Sequence, residues 1–426
     1  MFAKKRAEQK VTSANSARES LEYGEEYLMK ETSFSRMQQD FKATVVDAKL
    51  SVTAISRLKN LSKIEKEIAA FIASHTTNPF MLIPFLKVKM RSALSSELTP
   101  IVLVVRADEK IVGVATFVLR REHGILRSLL REQLRVRAAD SLFEYWFSPD
   151  FILDDAYRNE SVRSVLNFLF DTMVCRSATA YLPAWSPNLP LLARQCENDG
   201  TSFRMTSSAA LAYRFLPVNC GWDSFNSGRG RNFRRKFRKM ERNFGSAGSS
   251  RVLFFENEDA VEGVFQRILE VERASWKQRY RFQHGYTFDS SLMDIWEAAC
   301  MAYRAYGDFK LLVWLLELNG DIIAYCLGCQ YKGTAYFVKT SFDNKWRTLY
   351  PGVYLKNLAI RDLFRNGEVK AINFMSNLPF HETWTSTYLP RIKILMWRGA
   401  LPRLLEFFVQ FRGFQFFNQL LLARAK

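Results

Sequence analysis

The chain has 426 residues, more than one ordinary core accommodates and enough for two domains of about 200 residues each. Hydrophobic residues make up 48% of it, so both halves can bury cores, and the formal net charge of +18 favours acidic partners: phosphates, nucleic acid, anionic lipid or a nucleotide cofactor. Six scattered Cys exclude a dense disulfide framework and point to a reduced, cytosolic chain, and four widely spaced His give a metal site little support, so no metal is expected.

The N-terminus, "MFAKKRAEQKVTSANSARESLEYGEEY", lacks the apolar core of a signal peptide, and residues 1–50 read as a mobile or loosely helical extension. Helical spacing begins at "SKIEKEIAAFIASH", with Ile64, Ile68, Phe71 and Ile72 on one face, and a second helix is predicted near "FMLIPFLKVKMRSAL". "IVLVVRADEKIVGVATFVLRR" predicts a hairpin turning between Ala107 and Lys110, "ESVRSVLNFLFDTMV" a helix and "ATAYLP" a short strand. After a joint at residues 217–222 come three predicted helices, "GRNFRRKFRKMERNFG", "AVEGVFQRILEVERASWKQR" and "SLMDIWEAACMAYRAYG". A second hairpin, "KLLVWLLELNGDIIAYCLGCQY", turns at Asn319-Gly320. A strand "TAYFVKTSFD", a helix "PGVYLKNLAIRDLF" and the strands "KAINFM" and "RIKILMWRG" complete the order.

The two hairpins align, "VLVVRADEKIVGVA" beside "LVWLLELNGDIIAY", and the elements around them recur, which predicts two copies of one α/β unit at residues 51–216 and 217–400. Cys326 and Cys329 resemble a redox or zinc pair, but three residues apart on a strand they face opposite sides and read as core cysteines. No stretch reaches the roughly 20 apolar residues of a membrane-spanning helix, so the chain reads as soluble or at most peripheral. Residues 401–426, "LPRLLEFFVQFRGFQFFNQLLLARAK", predict an amphipathic helix that either packs on the first half or lies on an anionic membrane.

The stretch "SGRGRNFRRKFRKMERNFG" holds eight Lys or Arg against one acid. Phe233, Phe237, Met240 and Phe244 make one apolar stripe along it, so it reads as a packed surface helix with a solvated basic face rather than as a nucleic-acid arm.

Trp222 ahead of that helix, "VERASWK", "YFVKTSFD" and the Pro-Gly that opens a helix together resemble the GNAT superfamily of acyltransferases. More narrowly they resemble the tandem branch labelled cellulose-biosynthesis acetyltransferases, relatives of the Fem-type peptidyl transferases. The resemblance implies an α/β (α+β) chain of two tandem GNAT-like units, each a mixed, mostly antiparallel sheet flanked by helices. It also implies acetyl-CoA as donor, lying in a V between two splayed strands, with its pantetheine on Tyr336, Val338, Lys339 and Thr340. Its pyrophosphate would lie at Arg347, Tyr350, Pro351, Gly352, Val353 and Tyr354. Pro351 suits a first helical turn, whose free N–H groups and dipole attract anions. "RTLYPG" has only one of the family's loop glycines, and it reads equally as a plain turn with Gly352 at positive φ. On the acceptor side the resemblance places Trp276, Lys277, Asn373 and Trp384, with Asn373 standing where related sequences carry Asp.

Acyl transfer to an amine needs a group that takes the amine proton. Glu272 shares an inward helical face with Ile268 and Trp276, which makes it a candidate base; the alternative is a buried acid paired with an Arg. Lys339 and Asp343 bracket the splayed strand, Asp343 as a second catalytic candidate and Lys339 sharing a face with Phe337 and Ser341 by simple alternation. The function expected is acyl-CoA-dependent N- or O-acyl transfer to a polar metabolite or glycan precursor. The alternatives are aminoacyl transfer from charged tRNA and a non-catalytic basic binding module.

Overall fold

The computed structural model describes residues 50–398 apart from 96–97, 122–136, 142–148, 174, 198–202, 262 and 276–287. Trp276, Lys277, the N-terminal extension and the C-terminal helix lie outside the described residues. The strands are β1 (Leu50–Ile55), β2 (Thr99–Ala107), β3 (Lys110–Arg121), β4 (Arg137–Ser141), β5 (Ile152–Leu153), β6 (Cys175–Pro183) and β7 (Phe203–Pro217). They continue as β8 (Ser250–Glu256), β9 (Phe309–Leu318), β10 (Asp321–Tyr331), β11 (Thr334–Phe342), β12 (Ala371–Asn373) and β13 (Tyr388–Arg398). The helices that matter to the site are α1 (Glu65–His75), α2 (Ile83–Ser95), α3 (Arg158–Asn167), α4 (Arg231–Ala247), α5 (Val264–Arg273), α6 (Phe288–Ala305) and α7 (Pro351–Arg365).

Both predicted hairpins form, and their turns use the residues that tolerate positive φ: Asp108 at 51° in the first, Asn319 at 55° and Gly320 at 91° in the second. Strands β1, β4, β5, β7 and β8 were not anticipated. "FRMTSSAALAYRFLP", the sequence of β7, alternates at Phe203, Met205, Leu211, Tyr213 and Phe215, but the small and hydroxyl residues 206–210 interrupt the pattern.

The strands form one sheet in the order β1-β2-β3-β4-β6-β13-β7-β12-β11-β10-β9-β8, with β5 paired to β3 off this path. Neighbours are antiparallel except β4 with β6 and β11 with β12. Each half thus runs four antiparallel strands into one parallel pair, and this is the internal repeat in structural form. The strands beyond the parallel pairs are exchanged. β7, from the first half of the chain, pairs with β12, and β13, from the second, pairs with β6. Ile394 and Met396 of β13 are consequently buried in the core over which α3 packs.

A second core is common to both halves: Phe80, Phe85 and Leu86 join Trp296, Phe309 and Tyr325, and Phe85 meets Phe309 ring to ring at 6.2 Å. On the opposite face of β9–β12, α4 and α7 close a third core around Trp314, Phe374 and Trp384. The stripe on α4 packs there, with Phe237, Met240 and Phe244 buried and Arg231, Arg235, Lys236, Lys239 and Arg242 exposed. The hydrophobic gain of burying that stripe holds the helix on the sheet and leaves its charges in water, where they cost little.

Candidate functional site

The parallel pair β11–β12 is short. Thr334, Ala335 and Tyr336 pair with Ala371, Ile372 and Asn373, and there the register ends. From residue 337 onward β11 keeps β10 on one side and has no strand on the other among the described residues, which leaves a wedge between residues 337–342 and 374–376. Its far side is held by Asn373, whose buried Oδ1 accepts the Met375 amide at 2.8 Å and fixes Met375 at φ 55°.

A β-bulge sits at the first open position. Leu327 pairs with Lys339 but Gly328 with Phe337, so Val338 is an extra residue. This overturns the simple alternation. Phe337 packs into the core under α7, whereas Lys339 reaches the opposite face and forms an ion pair with Glu272 at 3.3 Å. Glu272, on α5, is 1% exposed, and its other oxygen accepts the Tyr325 hydroxyl at 2.8 Å. Burial and the neighbouring carboxylate push the Tyr325 phenol well above its ordinary value, so it stays a donor. The inward placement of Glu272 holds, and among the described residues Lys339 is a cation paired with it.

The other face of the wedge carries a group that sequence reasoning missed. Lys356, on α7, is 4% exposed, and its Nζ lies 3.2 Å from His381 Nε2 and 5.2 to 5.9 Å from the ring centroids of Phe337, Phe374 and Phe380. Phe337 and Phe374 are the first residues past the last β11–β12 pair, so the amine sits where the strands part. His381 Nδ1 faces the Ser376 carbonyl, which can only accept; the ring therefore carries its proton on Nδ1 and accepts from Lys356 through Nε2. Burial lowers Lys356 to about 8, and burial together with the Lys356 charge lowers His381 to about 2. The signal in the sequence was one Lys on the apolar face of "PGVYLKNLAIRDLF", at the position of Leu355 plus one.

The remaining candidates fall along the open edge and the turn that follows it. Tyr336 donates its hydroxyl to the Thr77 carbonyl at 3.2 Å, and Thr340 Oγ1 lies 3.4 Å from Cys326 Sγ. Val338 packs against the core on the Glu272 side. Asp343 caps the 3-10 turn Asn344–Leu349 by accepting the Lys345 amide at 2.9 Å. Arg347 and Tyr350 are exposed, Pro351 is buried, Val353 is half-buried, and Tyr354 stacks on Phe244 at 4.5 Å. The amides of Val353 and Tyr354 both turn to the Tyr350 carbonyl at 3.1 Å, which uses two of the donors expected to face a phosphate. Trp384 is fully buried, donates to Asn357 Oδ1 at 3.1 Å and stacks on Phe374. Cys326 and Cys329 lie in different cores, as opposite-facing residues must.

Gly352 is not a positive-φ residue; the left-handed position is Tyr350, at 56°. What limits Gly352 is space, because a Cβ there would lie 3.2 Å from Phe342 Cδ1. Gly352→Ala is expected to be near neutral, its helix propensity offsetting a slight crowding, whereas Gly352→Val should cost about 1 to 3 kcal/mol through overpacking. Urea unfolding of the two variants checks this. An Ala cost as large as the Val cost would restore the backbone explanation.

Residues 231–380 match the profile of the acetyltransferase (GNAT) domain, a span that holds α4, the wedge and α7. No curated protein matches the chain in sequence. Among solved structures it is similar to a conserved protein of unknown function from Bacteroides thetaiotaomicron, at TM-score 0.49 and 11% identity over 82% of this chain and 100% of that one. It is similar also to FemX, at 0.48 and 11% over 82% and 98%, and to a tandem GNAT protein from the clavulanic acid biosynthesis pathway, at 0.41 and 12% over 83% and 99%. The fold is a mixed, mostly antiparallel sheet flanked by helices in a GNAT-like arrangement. Among the described residues no helix is long and apolar enough to cross a membrane.

Proposed function

We propose that the chain is an acyltransferase that takes an acyl group from a thioester donor, acetyl-CoA, and passes it directly to an amine or hydroxyl of a polar metabolite or glycan precursor. The observation that carries this reading is the parting of β11 from β12 after Tyr336 and Asn373, within the segment that matches the GNAT domain. A strand edge freed in this way offers backbone N–H and C=O groups to the amides of an extended pantetheine arm, as in strand addition. Lys345 and Arg347, both exposed in the turn before α7, supply positive charge for its phosphates. Because the Val353 and Tyr354 amides are used within the helix, these side chains carry more of that contact than the helix terminus does.

Glu272 is assigned the acceptor's proton. As the acceptor nitrogen or oxygen bonds to the thioester carbon and the carbon–sulfur bond breaks, the proton passes to the carboxylate, directly or through one water. Lys339 and the Tyr325 hydroxyl fix the position of that carboxylate. Asp343 supports the reaction by holding the turn of Lys345 and Arg347 in place.

Calorimetric titration of the folded protein with acetyl-CoA and CoA tests the donor. Affinity in the micromolar range is expected, and absence of binding removes the acyl-CoA reading. The exposed basic face of α4 favours a second donor, aminoacyl-tRNA. Transfer from charged tRNA but not from acetyl-CoA, with binding that falls steeply as salt rises, selects that reading instead.

A further inference from the structure

A cleft of about 310 Å³ lies between the Trp222–Gly228 helix, α4 and α7, on the sheet face opposite Glu272. Its lining combines three chemical types. Trp222 and Tyr354 present aromatic surface, Arg238 and Arg361 present guanidinium groups, and Asn357 lies at the base. Glu241 is the one acid in the lining.

Asn357 is the informative residue. It is 7% exposed, and its Oδ1 accepts the Trp384 indole N–H, a group that can only donate. The amide is therefore oriented with its nitrogen away from Trp384, in a residue that lines the cleft. An amide donor in an otherwise aromatic and cationic cleft is matched by a ligand acceptor. Arg361 also lines the cleft, and its Nε is buried with no partner among the described residues, which leaves its terminal nitrogens for a ligand. Arg238 is exposed, with its charge directed to the cleft mouth.

We propose that this cleft binds a nucleoside phosphate, with the phosphate on Arg238 and Arg361, the base against Trp222 and Tyr354, and an acceptor of the base edge on Asn357 Nδ2. Guanidinium forks match phosphate oxygens in pairs, aromatic faces stack planar bases without regard to sequence, and an amide N–H selects a ring nitrogen or carbonyl. The same chemistry is found in a free nucleotide or nucleotide-linked substrate and in the nucleotide end of CoA. The assignment does not depend on acyl transfer.

The full chain is titrated calorimetrically with UMP, AMP, adenosine 3',5'-bisphosphate and inorganic pyrophosphate. Nucleoside phosphates are expected to bind at least about tenfold more tightly than pyrophosphate, since only they add the base contacts. Arg238→Glu, a surface change that leaves the core intact, should weaken nucleotide binding by about tenfold or more, the loss of a charge-assisted contact. Trp222→Leu should weaken the nucleotides and leave pyrophosphate unchanged. Displacement of bound nucleotide by CoA assigns the cleft to the donor's nucleotide end, and simultaneous binding of both assigns it to a separate nucleotide. Pyrophosphate binding as tight as any nucleotide, or nucleotide affinity unchanged by Arg238→Glu in a protein of unaltered Tm, overturns the proposal and leaves an adventitious ion site only.

Discussion

Lys356→Met is expected to stabilise the folded protein at pH 7 and to destabilise it above pH 10.5, a swing of about 3 kcal/mol set by the amine's displaced titration. Lys356 is buried with a neutral His381 as its hydrogen-bond partner, and burial lowers its amine from the ordinary 10.5 to about 8. Between these two values the unfolded chain binds a proton that the folded chain does not, so wild-type stability rises with pH across the window. Below pH 8 the folded protein carries the full cost of a buried ammonium. Methionine matches the length of the lysine stem and brings no charge, so it relieves that cost; it also loses the bond to His381 Nε2, worth about 1 to 2 kcal/mol at every pH. At pH 7 the relief is the larger effect, and above pH 10.5 only the lost bond remains. Urea unfolding of wild type and variant at both pH values measures the crossover, and a difference independent of pH would refute it. Acid acts on the same pocket through His381. Its ring stays neutral when folded down to about pH 2, so stability is lost as pH falls below the ordinary value of 6.5, and His381→Gln should flatten that loss.

Glu272→Ala is expected to destabilise the fold by about 3 to 5 kcal/mol, the range for removing one partner of a buried ion pair. Among the described residues this carboxylate meets Lys339, whose side chain is 13% exposed, and the fully buried Tyr325 hydroxyl. With the acid gone, each remains desolvated without its partner. Replacing both charges, Glu272→Leu with Lys339→Met, should recover most of the loss, because apolar groups of similar volume carry no desolvation penalty. Urea unfolding of the single and double variants decides it, and simple additivity of the single losses would show that the pair is not coupled. Glu272→Gln keeps an acceptor for Tyr325 and tests the chemical role separately. Transfer should fall while donor affinity stays unchanged, and unaltered transfer would move the base elsewhere.

Much of this site was legible locally. The inward position of Glu272 follows from its spacing to Ile268 on α5, and the packing of α4 follows from Phe237, Met240 and Phe244. The partner of Lys339 was not legible, because strict alternation puts that lysine on the face of Phe337 and the extra residue at Val338 reverses it. Nor was the lysine under the wedge, since its histidine lies 25 residues away on a turn with no periodicity of its own.

The sequence by itself determined the elements whose code is short: the two hairpins, marked by apolar alternation and by turn residues that accept positive φ, and the helices, marked by a stripe every three or four residues. It also determined the repeat, because equal local patterns recur in equal order. Only the tertiary structure decided which strands are neighbours. β7 and β13, 15 and 11 residues long, cross between the halves, yet nothing in "FRMTSSAALAYRFLP" names its partners, because backbone hydrogen bonds are the same for every residue and specify no mate. What selects the pairing is the burial it permits: Ile394 and Met396 under α3's core on one side, and Leu216 beneath α7 on the other. The two buried clusters were likewise decided by tertiary structure. They are properties of residues brought together across the chain, 25 positions apart for Lys356 and His381 and 53 for Glu272 and Tyr325, and a local pattern has no means of recording them.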